Sequence, residues 1–203
     1  DPMAVLKYQE KGYDSLFFQF EFPQLKNNSN TKKEIDVLFY GHLTPDRKSY
    51  LEYIQKEGIN IKNVGHENNV MGIPKDELLN LIEKSKIVLN FSKTRTTFVQ
   101  NLESENIYKY HYQLKGKMIV AGLKGTMCVS EYSPGQELLF GNKAAPMFYT
   151  KEECVTILKK FLSDESLLLD STNKFAKKVR DICEDDKNFD PIYDFLEKPS
   201  KKK

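Results

Sequence analysis

The sequence predicts an α/β fold: a Rossmann-like parallel sheet with helices on both faces. Three observations lead there. Short apolar runs rich in β-branched and aromatic residues alternate with longer segments of helical periodicity, which demands βαβ crossovers. Glycine and proline fall at the boundaries between these segments, where chain reversals need them. The 203 residues, 39% of them hydrophobic and including 13 Phe and 11 Tyr, suffice to bury one substantial core.

The elements follow in order. Leu16-Phe17-Phe18-Gln19-Phe20-Glu21-Phe22, closed by Pro23, has the length and aromatic content of a strand. The polar segment from Lys26 to Lys33 reads as a loop or linker. Ile35–Tyr40 is a compact apolar strand ended by Gly41. Pro45-Asp46 opens a helix carrying Tyr50, Leu51, Tyr53 and Ile54, which Gly58 stops as a C-cap would. Ile59–Val64 is a short strand, and Pro74 begins a helix with a Leu78, Leu79, Ile82 stripe reaching about Ser85. Ile87–Phe91 is a buried-type strand, after which the polar stretch Ser92–Asn106 forms the longest connection. A helix from about Tyr108 to Lys124 ends at Gly125, and Met127–Val129 is the next strand. A short helix around Gln136–Phe140, a small strand at Pro146–Tyr149, and helices near Glu152–Leu162 and Leu167–Cys183 complete the series. The chain thus divides into an N-terminal strand and linker over 1–33, a Rossmann-like body over 34–184, and a C-terminal helix with a basic tail over 185–203.

Composition excludes several functions. With 31 basic and 29 acidic residues the net charge is +2, too small a field to argue for nucleic acid. The longest apolar runs are about five residues, against roughly 20 for a membrane span. Asp1-Pro2-Met3 reads as a short scar ahead of an internal start, not as a secretory signal. Cys128, Cys154 and Cys183 are odd in number and widely spaced, which predicts reduced structural thiols and a cytoplasmic location. Asn27-Asn28-Ser29 and Asn90-Phe91-Ser92 match the glycosylation pattern by chance. No Walker loop surrounds Gly116-Lys117, and no G-x-G-x-x-G follows the first strand. His42, His66 and His111 show no zinc spacing, and no serine sits in a nucleophile elbow.

In a parallel sheet, ligands bind beyond the carboxyl ends of the strands. The connections there run over 41–46, 65–73, 92–107 and 131–136. Gly41 would let a phosphate approach the backbone, with His42 and Arg47 in reach; the same residues also read as a turn glycine and a surface arginine. Lys109, Lys115 and Lys117 could neutralise a departing anion, or form a solvated helix face. Gly125–Glu137 runs from a strand into a Pro-Gly turn at a helix start, whose free N–H groups favour anionic or hydroxyl-rich ligands. Glu137 could accept from sugar hydroxyls or simply favour the helix dipole.

Gln113-Leu114-Lys115-Gly116-Lys117, then Gly125, then Ser130-Glu131-Tyr132-Ser133-Pro134-Gly135-Gln136-Glu137 resembles the C-terminal, donor-binding half of GT-B glycosyltransferases, in their group-1-like, spore-maturation-protein-type branch. Asp36–Gly41 and Pro45-Asp46-Arg47 are similar to that family's first strand and phosphate loop, so the likeness spans about Glu34 to Cys183. The resemblance implies a single GT-B-type lobe, an excised or naturally lone donor half. It implies a nucleotide-diphosphate sugar as substrate, with no cofactor and no metal. The acceptor, a glycan, lipid or protein, would be met through a further N-terminal domain. Gly41, His42, Arg47, Lys115 and Lys117 would hold the diphosphate, while Tyr132, Ser133, Pro134, Gly135, Gln136 and Glu137 would face the sugar. Two positions depart from the pattern: Lys117 replaces an arginine, and Val120 replaces the glutamate that would hold the ribose. Val120 motivates a second reading, a non-catalytic module that recognises carbohydrate or a protein partner. A phospho-acceptor receiver domain fits less well, because only Asp36 lies in the first strand, near its start.

Overall fold

Buried on both faces, an apolar run must find partner strands on both sides, and strand β1 (Ile35–His42) does so at the centre of the fold. This computed structural model describes residues 2–17, 25, 31–66, 72–93, 112–185 and 189–197. Five strands form one wholly parallel sheet in the order β2–β1–β3–β4–β5, with β2 at Ile61–His66, β3 at Ser85–Asn90, β4 at Met127–Glu131 and β5 at Met147–Phe148. Val37 pairs with Ile61 on one side and Ile87 on the other, and Val88 pairs with Cys128. The chain leaves β1 towards β2 and later returns to β3 on the opposite side. That reversal opens a crevice between the carboxyl ends of β1 and β3.

The helices are α1 (Pro2–Glu10), α2 (Pro45–Lys56), α3 (Lys75–Glu83), α4 (Lys117–Leu123), α5 (Pro134–Ala144), α6 (Lys151–Ser163), α7 (Glu165–Cys183) and α8 (Asp190–Glu197). Local chemistry sets their ends. The Thr44 hydroxyl accepts from Arg47 N at the start of α2, and Thr150 and Glu153 form a reciprocal capping box on α6. Helix α2 packs with α6, while α4 and α5 pack with α7. Because the crossovers from β1 run in opposite directions, their right-handedness sets the two groups on opposite faces. The core between them holds Phe39, Ile54, Leu89, Met118, Phe148, Leu158 and Phe175, all buried.

Close packing of α4 on α7 depends on Gly122. A Cβ there would lie 2.5 Å from Val179 Cγ2 and 2.9 Å from Val179 Cβ, a stiff branched side chain that cannot yield. Gly122→Ala is therefore expected to lower the urea midpoint by the equivalent of about 1–3 kcal/mol with an unchanged m-value.

The amino-terminal edge is stitched by Lys33. Its ammonium donates to the carbonyls of Glu83 and Gly125, at 2.8 Å each, and to Thr126 Oγ1 at 3.0 Å. Burial lowers its pKa to about 8 against the opposing pull of Glu83. Lys33 thus belongs to the folded body and is no mere linker residue.

Several boundaries correct the sequence reading. β1 continues through Gly41 to His42, because Gly41 pairs with Gly65 and His42 with His66. β2 begins two residues later than expected and also runs to His66. The helix expected from Tyr108 begins at Lys117; residues 112–116 precede it without helical structure, and 108–111 lie outside the described residues. Lys115 is therefore a loop residue. The helix expected at Gln136–Phe140 starts at Pro134 and reaches Ala144, broken by Gly141 at φ 68° and ψ 168°. Helix α1 carries no strong apolar stripe and was not foreseen. Of the strand expected at Leu16–Phe22, Leu16 and Phe17 are described and carry no strand structure; its remainder, most of the 92–106 connection, Lys109, His111 and the tail Lys201-Lys202-Lys203 lie outside the described residues.

Candidate functional site

At the carboxyl end of β1, Gly41 adopts φ +99°, and a Cβ there would sit 2.8 Å from Lys117 Nζ. Only glycine meets both demands. The Lys117 ammonium donates to the Tyr40 carbonyl and lies 4.3 Å from the Tyr40 ring centroid and 5.4 Å from that of Phe39. Burial lowers its pKa to about 7, and the Arg47 and Lys115 charges push the same way. Lys115 is lowered too, by burial first and then by Arg47. These three cations therefore repel one another in a poorly solvated corner, and an anion placed among them would relieve all three.

Arg47 is buried, held by its position on the first turn of α2. Its guanidinium donates to the His42 carbonyl at 2.7 Å and to the Lys93 carbonyl at 3.3 Å, and it lies 5.8 Å from the Phe91 ring centroid. It spans the crevice from the end of β1 to the segment after β3. The alternative of a surface arginine fails, because the side chain is buried and its guanidinium serves the carbonyl that ends β1 and one in the segment beyond β3.

The end of β4 supplies a second polar group. Glu131, 1% exposed, accepts from Ser92 N at 3.1 Å and Lys93 N at 2.9 Å, with Lys93 Nζ at 3.7 Å. The Ser92 hydroxyl donates back to the Tyr132 carbonyl. Helix α5 opens at Ser133 with Pro134 in its first turn. The Ser133 hydroxyl and both amide atoms of Gln136 are buried without hydrogen-bond partners among the described residues. Each such group costs about 1–3 kcal/mol unless a ligand or water satisfies it. Tyr132 donates to Glu137 Oε2 at 3.0 Å, and its ring stacks on Tyr149 with centroids 4.7 Å apart and planes at 25°.

Gly41, Arg47, Lys115 and Lys117 thus converge on one corner, with His42 contributing a carbonyl to Arg47 and its ring facing His66 at 5.8 Å. Tyr132, Ser133, Pro134, Gly135, Gln136 and Glu137 form the neighbouring turn at β4. Val120 is half-buried against the core, where it can accept no hydrogen bond. Sequence reasoning quoted Glu131 without assigning it a role and passed over Ser92, Lys93 and Tyr149. The only signal for Glu131 was an acid closing an apolar strand. No cluster of three or more potential metal ligands occurs among the described residues. A hollow of about 740 Å³ lies at the opposite, amino-terminal edge of the sheet beside Asp36, Gly58 and Lys86. Two ion pairs line it, Lys86 with Asp36 at 2.6 Å and Lys159 with Glu57 at 2.8 Å.

A glycosyl transferase-like family model matches residues 26–192. The chain belongs to this family. Among solved structures, this glycosyl transferase-like chain is similar to S. aureus TarM, crystallised with Fondaparinux, alpha-GlcNAc-glycerol and UDP; the TM-score is 0.67 at 11% identity, covering 97% of this chain and 43% of that one. It is also similar to T4 phage BGT in complex with UDP-glucose, with a TM-score of 0.57 at 11% identity over 95% of this chain and 58% of that one. An alpha1,3-fucosyltransferase gives a TM-score of 0.52 at 16% identity over 77% and 48%. These likenesses show the fold, a Rossmann-like sheet as in GT-B glycosyltransferases, and the chain spans about half the length of each. No curated protein matches it. Among the described residues no helix is long and apolar enough to cross a membrane.

Proposed function

We propose that this chain is the donor-binding lobe of a nucleotide-sugar-dependent glycosyltransferase. The observation that carries the reading is the convergence of Arg47, Lys115 and Lys117 beside Gly41 at the crevice between β1 and β3. A nucleoside diphosphate brings anionic charge to that cationic corner, where it offsets the mutual repulsion of the three side chains. The transferred sugar then lies against the β4 turn, where its hydroxyls meet the unpartnered Ser133 and Gln136 groups and the Glu137 carboxylate. As the glycosidic bond breaks, negative charge grows on the departing diphosphate, and cations already in place stabilise it without reorganisation. Another lobe would bring the acceptor.

Calorimetric titration of the chain with UDP and with GDP at pH 6.5 tests this. Saturable binding of at least one is expected, with affinity falling by up to about tenfold per pH unit above neutrality as Lys117 loses its proton. Absence of binding by both would overturn the reading.

A further inference from the structure

We propose that the Tyr132–Tyr149 stack is a saccharide-binding platform on the acceptor side of the site, which makes the acceptor a glycan. The inference rests on the sugar-transfer reading above and extends it to Tyr149, which that reading does not use.

Tyr149 is 58% exposed, a large ring left in water, yet it is held firmly. Its N–H donates to Glu153 Oε2 at 2.7 Å, and its carbonyl accepts from the Tyr50 hydroxyl at 3.5 Å. One face lies on Tyr132, which Glu137 fixes through its hydroxyl and Tyr112 braces edge-on at 6.0 Å. A rigid exposed aromatic face costs little further entropy on binding and suits the C–H face of a pyranose. Glu137 and Glu153 adjoin the stack, and their charges raise the Tyr149 pKa along with partial burial. Those carboxylates disfavour a phosphate and favour a neutral, hydroxyl-bearing ring.

Position along the sheet separates acceptor from nucleotide. The cations stand at the ends of β1 and β3, the unpartnered hydroxyl and amide groups at β4, and Tyr149 just past β5. With strands about 4.8 Å apart, the platform lies beyond the sugar-facing turn, on the side away from the diphosphate.

The test titrates the full chain with maltotriose, cellotriose and chitotriose, following the Tyr149 ring resonances by NMR, and separately with UDP by calorimetry. At least one trisaccharide should shift those resonances saturably. Tyr149→Ala should weaken that binding about tenfold, while Tyr149→Phe, which keeps the stacking face, stays within about twofold, both variants being followed on the ring resonances of the stacked Tyr132. UDP affinity should be unchanged in both variants. The proposal is overturned if none of the trisaccharides moves the Tyr149 resonances, or if Tyr149→Ala weakens UDP instead, which would make the stack a nucleobase shelf. Trisaccharide binding in a chain that ignores UDP supports the platform and removes the donor reading.

Discussion

Lys117→Met is expected to weaken UDP and GDP binding by about 10–100-fold, the worth of one charge-assisted contact to phosphate, while making the fold more resistant to urea at pH 6. The two effects share one cause. The fold buries the Lys117 ammonium beside Arg47 and Lys115, which lowers its pKa from 10.5 to about 7. Below pH 7 both folded and unfolded chains carry that proton, and the full cost of desolvating the cation weighs on the fold. Between pH 7 and 10.5 the unfolded chain binds a proton that the folded chain lacks, so this group makes stability rise with pH across that window. Methionine keeps the volume and removes the charge. The variant should gain about 1–4 kcal/mol at pH 6, a gain that shrinks as pH climbs towards 10. Urea midpoints at pH 6 and pH 9, beside a UDP titration at pH 6.5, check both halves. A variant that binds UDP as tightly as the wild type removes Lys117 from the site.

Glu131→Ala should destabilise the fold by about 3–5 kcal/mol, the range for breaking a buried charge pair. The carboxylate serves two backbone donors and the Lys93 ammonium from a position only 1% exposed. Its removal leaves the Ser92 and Lys93 amides without an acceptor, and it frees the segment whose carbonyl Arg47 uses to bridge the crevice. Glu131→Gln keeps an acceptor oxygen for those amides and should lose less. Denaturation curves should therefore rank wild type above the glutamine variant and that above the alanine variant. An alanine variant within about 1 kcal/mol of wild type would show that the β3 and β4 ends hold together by other means.

Much of the fold was legible because its signals are local. Alternating period, Pro45 at a helix start, and Gly58 and Gly125 at helix ends act over a few residues. The start of α4 differs from the expected one because the Gln113 N–H is bound to the Ser92 carbonyl, a partner distant in sequence, rather than within a helix. The charge of the site was legible as well, since lysines near glycines at strand ends stand out in any α/β sequence. Its wiring was not. Nothing near Arg47 in the chain shows that its guanidinium also joins the His42 carbonyl at the end of β1 to the Lys93 carbonyl beyond β3.

From the sequence alone came the α/β class and the alternation of strands and helices over the sheet, because periodicity, capping and crossover handedness are properties of short segments. Which cations share a corner, which carboxylate is buried, and which tyrosine is left facing water were decided only on folding. Arg47 reaches Lys93 across 46 residues, Lys117 reaches Tyr40 across 77, and Tyr50 reaches Tyr149 across 99. Those contacts depend on how the whole sheet sets its strand ends side by side, and no window along the chain contains both partners.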